Sequence, residues 1–315
     1  LRFPAATLPN YQSRMEGTEV SVGGDLDLEY IWRYASAATN GVIDYGALID
    51  VSNAVTIAPG ATLYLSSHPT NGGSALIRAA SFTLAEGATI NADARGFGGT
   101  SQVSYGPGRG SGGGYRGGGG GYGGRGGYGS SGGNPYNAGG VSNGLPFAPL
   151  LPGSSGGYAN GVVCSFGGGL VRIEAGEVQA DGTITANGER KDYPGSGAGG
   201  GIFIRSRTFT GGSNAIMRAT GGNYASSGGG IGGGGRIAVW RGRSDESVTA
   251  RILAGREDEV RSRLVVTDGF PTYLGTADEQ KGLNDPWGDT QYEGHDGTVI
   301  FLTVLPAPGT LLLLR

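Results

Sequence analysis

The sequence predicts an all-β protein folded as a parallel β-helix, with a long Gly/Tyr-rich excursion between turns of the solenoid. Three observations predict it. Val55-Thr-Ile-Ala-Pro-Gly-Ala-Thr-Leu63 and Phe82-Thr-Leu-Ala-Glu-Gly-Ala-Thr-Ile90 share one pattern 27 residues apart. Three glycine runs each feed a short β-type segment: Gly167 to Ile173, Gly199 to Arg205 and Gly232 to Trp240. Within every unit the apolar side chains alternate with a period of two around a tight turn. A two-strand unit cannot bury its apolar side alone, but stacked copies can. The rungs therefore align Val55, Phe82, Val178 and Phe209. An antiparallel sandwich ranks second, because it does not need the repeat.

In chain order, residues 1–40 read as an extended N-terminal segment and cap. Leu1, Phe3 and Leu8 are apolar, and Pro4 and Pro9 exclude a helix through them. Val20 to Val22 and Leu26 to Leu28 alternate like strands; 29–35 fits either a short helix or a strand. Residues 41–304 form the single β-helix domain. Ile57, Leu63, Leu84, Ile90, Ile173, Ile184, Ile204, Ile216, Ile237 and Val239 are its expected inward column. Between about 97 and 157 the pattern gives way to a glycine-rich insertion. There Tyr115, Tyr122 and Tyr128 lie near Arg109, Arg116 and Arg125, so rings can stack on guanidiniums. Without Cβ atoms, glycine segments can approach closely and exchange main-chain hydrogen bonds. The expectation is an excursion pinned on the body or on a neighbour, without a long helix. Residues 256–263 are a charged, solvated stretch, Leu264 to Val266 a further strand, and Thr298 to Val304 the last strand. Residues 305–315 are an apolar tail.

Composition narrows the class. The chain has 315 residues, 68 of them glycine, with no Gly-X-Y period, which excludes collagen. A net charge of −3 gives no electrostatic drive toward nucleic acid or an anionic membrane. The single cysteine, Cys164, excludes an internal disulfide, and its apolar neighbours predict a buried, inert thiol. The chain begins at Leu1 rather than Met; a cleaved signal peptide, and hence export, is the simplest expectation, although a fragment boundary would look the same.

The glycine run followed by Arg-Ile-Ala-Val-Trp at 236–240 resembles the glycine-rich repeat β-helix proteins of bacterial surfaces. Gly294-His-Asp-Gly-Thr-Val-Ile-Phe301 resembles the closing strand of that group, which has no agreed activity. Leu305-Pro-Ala-Pro-Gly-Thr-Leu-Leu-Leu-Leu-Arg315 resembles the start of a PEP-CTERM sorting signal. Ala307 stands where that signal has Glu. The run of Leu311, Leu312, Leu313 and Leu314 is far shorter than the roughly 20 residues of a membrane span. Both resemblances imply export to the cell surface.

The chemistry-bearing residues point away from catalysis. His68 and His295 lack a third ligand at metal spacing, so no metal site is expected. No Gly-x-Ser-x-Gly occurs in a strand-to-helix setting, and no glycine run leads into Gly-Lys-Ser/Thr, so no catalytic residue and no cofactor is assigned. Asp285, Asp289, Glu293 and Asp296 read as a solvated acidic loop, with calcium as the alternative. Arg78, Arg172, Arg205 and Arg218 recur on rungs and read as a solvent-facing ladder. The expected function is a non-enzymatic structural subunit of an extracellular homopolymer, joined head to tail through strand edges or tails. Its candidate interface residues are Leu1, Phe3, Leu8, Leu305, Leu311 to Leu314, Tyr115, Tyr122 and Tyr128. A glycan-binding adhesin, with extracellular polysaccharide as partner, is the first alternative, and a polysaccharide-active enzyme the second.

Overall fold

A computed structural model describes residues 13–28, 47–131, 134–159, 161–223, 228–242, 245–282 and 294–306. Strand dominates, and the chain alternates between two large sheets. The strands before the glycine-rich insertion are β1 (Ser13–Val22), β2 (Leu26–Leu28), β3 (Ala47–Ile57), β4 (Thr62–Leu65), β5 (Ala75–Leu84) and β6 (Thr89–Asn91). A small hairpin, β7 (Gly129–Ser131) and β8 (Asn134–Asn137), lies inside the insertion. Then come β9 (Leu170–Ala180), β10 (Thr183–Thr185), β11 (Gly201–Thr210), β12 (Ile216–Arg218) and β13 (Arg236–Gly242). The chain closes with helix α1 (Glu246–Leu253), a 3-10 turn (Glu257–Arg263), β14 (Leu264–Thr267), β15 (Thr276–Asp278) and β16 (Thr298–Val304).

The first sheet runs β1-β3-β5-β9-β11-β13-β16-β14, parallel throughout except for the antiparallel β14. The second runs β2-β4-β6-β10-β12-β15 and is wholly parallel. Parallel pairing starts already at β1 and β2, inside the segment that the sequence sets apart as a cap. Val55, Phe82, Val178 and Phe209 are directly in register, as the repeat requires. One core cluster contains side chains of both sheets, including Ile57, Leu63, Leu84, Ile90, Ile173, Ile184, Ile204, Ile237 and Val239.

Ile216 is the exception in the expected column: it is half-buried, and Met217 takes the inward place in register with Ile184. The linking turns explain this. Eight residues separate Val55 from Leu63 and Phe82 from Ile90, but six separate Val178 from Ile184. The β11–β12 link has the longer form, so counting eight from Phe209 reaches Met217.

The glycine-rich segments form a third part of the body, built from main-chain hydrogen bonds with a three-residue beat. Gly117 and Gly120 donate to the carbonyls of Tyr193 and Ser196. Gly118 and Gly121 donate to Ser111 and Gly108, and Gly119 and Tyr122 donate to Gly127 and Gly124. All six bonds lie between 2.7 and 3.1 Å. Residues 195–200 repeat the scheme toward 154–157, 230–233 and 186–189. An extended chain with three residues per turn, as in polyproline II, presents successive N–H groups about 120° apart. Each such segment can therefore bond three neighbours in turn. Glycine is required because the neighbours are so close: a Cβ on Gly119 would lie 1.8 Å from the Ile231 carbonyl oxygen. The insertion is thus pinned by main-chain contacts to the glycine runs that precede β9, β11 and β13. Both helices of the described residues lie elsewhere, at 246–253 and 257–263.

Candidate functional site

The outer face of the first sheet carries a row of charges set by strand register. Asp50 on β3, Arg78 on β5, Glu174 on β9, Arg205 on β11 and Trp240 on β13 occupy equivalent positions. Arg172 lies one pleat repeat before Glu174, on the same face. Three guanidiniums converge on the Glu174 carboxylate. Arg78 Nε donates to Oε2 at 3.2 Å, Arg205 Nη2 to Oε2 at 3.0 Å and Arg172 Nη2 to Oε1 at 2.5 Å. Glu174 is 8% exposed and Arg172 only 2%.

Burial pushes the Glu174 carboxyl upward, but the charges of Arg172, Arg205 and Arg78 outweigh this, and the group stays below its ordinary value. Burial pulls the Arg172 guanidinium below its ordinary value against the opposing pull of Glu174. Arginine nonetheless remains a cation at neutral pH. Arg172 Nε is buried with no hydrogen-bond partner among the described residues.

Helix α1 forms one wall of the groove above this row. Its N-cap, Asp245, accepts from the N–H groups of Ser247 and Val248 and pairs with Arg263 at 2.7 Å. The Ser247 hydroxyl, followed by Arg263, holds the Asp245 carboxyl well below its usual range. Val248 and Ile252, one helical turn apart, pack on Phe203, Trp240 and Leu302 of the sheet. The Trp240 indole donates to the Phe147 carbonyl at 2.6 Å, which fastens the return of the insertion to the same face. The groove encloses about 370 Å³, and Arg78, Arg205, Arg207, Arg241, Ser206 and Thr249 are among its lining.

No known family matches this chain, nor does any curated protein or solved structure. The functional reading therefore rests on the chain's own geometry.

The arginines of the sequence reading divide. Arg78 and Arg205 share a row, and Arg172 is buried beside it rather than facing solvent. Arg218 belongs to the second sheet, where it faces Asp278 at 3.5 Å. Glu174 escaped sequence reasoning; the available signal was its Arg-x-Glu spacing, with Arg172, on one face of a strand flanked by arginine-bearing strands.

Of the candidate interface residues, Leu1, Phe3, Leu8 and Leu311 to Leu314 lie outside the described residues. Leu305 is exposed; its N–H donates to the Arg263 carbonyl and its own carbonyl accepts from Arg263 Nη2, each at 2.8 Å. Tyr115 is 63% exposed and Tyr128 half-buried under Arg125. Tyr122 is wholly internal and joins two parts of one chain rather than presenting a ring to a neighbour. Arg116 stacks on Tyr193.

Cys164 is buried, and burial raises its thiol pKa, so it is a weak nucleophile as expected for an inert thiol. His68 Nδ1 accepts from the Thr70 and Asn71 N–H groups, which makes it a turn residue. Of the four acids near the C-terminal end, Asp285, Asp289 and Glu293 lie outside the described residues. Asp296 accepts from the Lys281 N–H at 3.0 Å. Among the described residues no group of three or more His, Cys, Asp or Glu is placed to hold a metal ion, and no helix is long and apolar enough to cross a membrane.

Proposed function

We propose that the two ladders are the walls of a parallel β-helix, and that this chain is a structural subunit of an extracellular homopolymer. The observation that carries this reading is strand β14. It is the last strand of the first sheet, and no described strand pairs with its outer edge. Val265 and Val266 are 42% and 47% exposed there, on opposite faces of the strand. Leu305, bonded to the Arg263 carbonyl just before β14, is exposed as well. At the far end of the sheet, β1 is likewise terminal among the described strands. Exposed edge strands are templates for pairing with another chain. A contact between unlike ends is head-to-tail and propagates into a filament unless it closes a ring. The glycine-rich layer supports the same reading, because close main-chain bonding makes a rigid building block.

The test compares three altered proteins with the unaltered chain by sedimentation and imaging: a deletion of 1–8, a deletion of 305–315, and Val266→Lys. Loss of polymer in at least one of them is expected. Normal polymers from all three would show that the ends are not the joint.

A further inference from the structure

We infer that the groove on the outer face of the first sheet binds an acidic oligosaccharide, with Arg78 and Arg205 as its anion contacts. The argument begins with charge. Four guanidiniums (Arg78, Arg205, Arg207 and Arg241) and three carboxylates (Asp50, Glu174 and Asp245) line the groove; Arg172 is buried beneath it, and Glu177 and Arg263 stand at its margin as partners of Arg207 and Asp245. The whole chain is net negative, so this local positive excess runs against its composition. Two of the acids are spoken for in simple pairs: Glu177 with Arg207 at 2.7 Å and Asp245 with Arg263 at 2.7 Å. Glu174 is shared among three cations, and Arg78 and Arg205 retain exposed area above it. Arg241 follows the outward Trp240 and turns the other way, bonding Thr303 Oγ1 through Nε and stacking on the core ring of Phe270, 4.2 Å from its Cζ, so it is not one of the anion contacts. Preorganised guanidinium forks match carboxylate and sulfate oxygens.

The shape selects the rest of the ligand. Arg78 and Arg205 flank β9 and both reach Glu174 Oε2, at 3.2 and 3.0 Å, so their guanidiniums form one cationic locus. One carboxylate or sulfate group of a ligand fits above it. Beside the charges the lining offers the Thr249 hydroxyl, which accepts from Arg205 Nη1 at 3.4 Å, and the glycines Gly176 and Gly242. Hydroxyl-rich units satisfy such a surface. An extended peptide would seek a free strand edge or an apolar groove. Here the strands beneath are already paired on both sides, and Trp240 is buried. The inference stands whether or not the chain polymerises.

The test is isothermal titration of the full-length protein with four probes: a uronate oligosaccharide, a sulfated oligosaccharide, a neutral oligosaccharide and polyglutamate. Saturable binding of the uronate or the sulfated probe is expected, and which of the two binds identifies the acidic group. Binding should weaken with added salt and fall at least about tenfold in Arg78→Ala. Should Arg78→Ala misfold by circular dichroism, Thr249→Ala replaces it, with a smaller loss expected. The inference is overturned by absent binding of both acidic sugars, by equal binding of the neutral sugar or polyglutamate, or by unchanged affinity in a folded variant.

Discussion

Arg236 Cζ lies 5.6 Å from the centre of the Tyr122 ring, and this contact ties the glycine-rich layer to the first sheet. Tyr122 sits inside the glycine run and is fully buried; Arg236 opens strand β13. From there Arg236 donates to the Asn143 carbonyl at 2.9 Å and to Thr298 Oγ1 on β16 at 3.0 Å. One guanidinium thus spans three segments far apart in sequence. Burial pushes the Tyr122 phenol well above its ordinary pKa, so it stays neutral beside the cation.

Tyr122→Ala should cost about 3–5 kcal/mol, the range for emptying a buried aromatic site. Tyr122→Phe should cost only about 0.5–1.5 kcal/mol. It keeps the ring and loses a hydroxyl whose partner, the Leu151 N–H, is 3.4 Å away. Urea unfolding of both variants checks this; equal losses would mean that the hydroxyl, not the ring, holds the junction.

The glycine layer makes a position-specific prediction. A Cβ on Gly119 would meet the Ile231 oxygen at 1.8 Å, whereas one on Gly269 would meet nothing within 4 Å. Gly119→Ala should therefore destabilise by about 1–3 kcal/mol or more, and Gly269→Ala should be neutral within about 0.5 kcal/mol. Wild-type stability in Gly119→Ala would point to a loose linker instead of a packed layer.

The register of β12 can be checked with a neighbouring pair. Met217 is buried against the core and Ile216 is not. Met217→Ala should cost about 2–5 kcal/mol, and Ile216→Ala clearly less. The reverse order in thermal or urea unfolding would restore the one-residue shift.

The pH dependence follows from His68. Burial depresses its pKa below the ordinary value. Nδ1 must also stay unprotonated to accept from the Thr70 and Asn71 N–H groups. A depressed base is charged less readily when folded than when unfolded. Its contribution is complete above about pH 6.5 and is lost as pH falls from there through the folded-state value. Depressed carboxylates such as Glu174 add a similar loss only lower, beginning in the range near pH 4. Unfolding midpoints should fall between about pH 7 and 5.5, and His68→Gln should flatten that slope. An unchanged slope in the variant would remove His68 from the account.

Much of the strand order was legible because one face of each strand is apolar at period two and the turns repeat. That is enough to place Val55, Phe82, Val178 and Phe209 side by side. Met217 was not legible, since the links between strands differ by two residues and a local match, Thr-Ile against Ala-Ile, outweighed the count. Helix α1 is eight residues long, and its signals were the Asp245 cap and the Val248–Ile252 spacing. Both are short-range and easily passed over among loops. The cluster on Glu174 depends on strands whose members lie up to 127 residues apart, from Arg78 to Arg205. Its alternation of charge becomes visible only once the register is known.

The most direct measurement of the central claim is the mass distribution of the purified full-length chain over a wide concentration range, by sedimentation velocity with negative-stain images of the same samples. The homopolymer reading predicts species that grow with concentration into regular filaments, and their loss when lysine replaces Val266 on β14. A full-length chain that stays strictly monomeric at every concentration would contradict it.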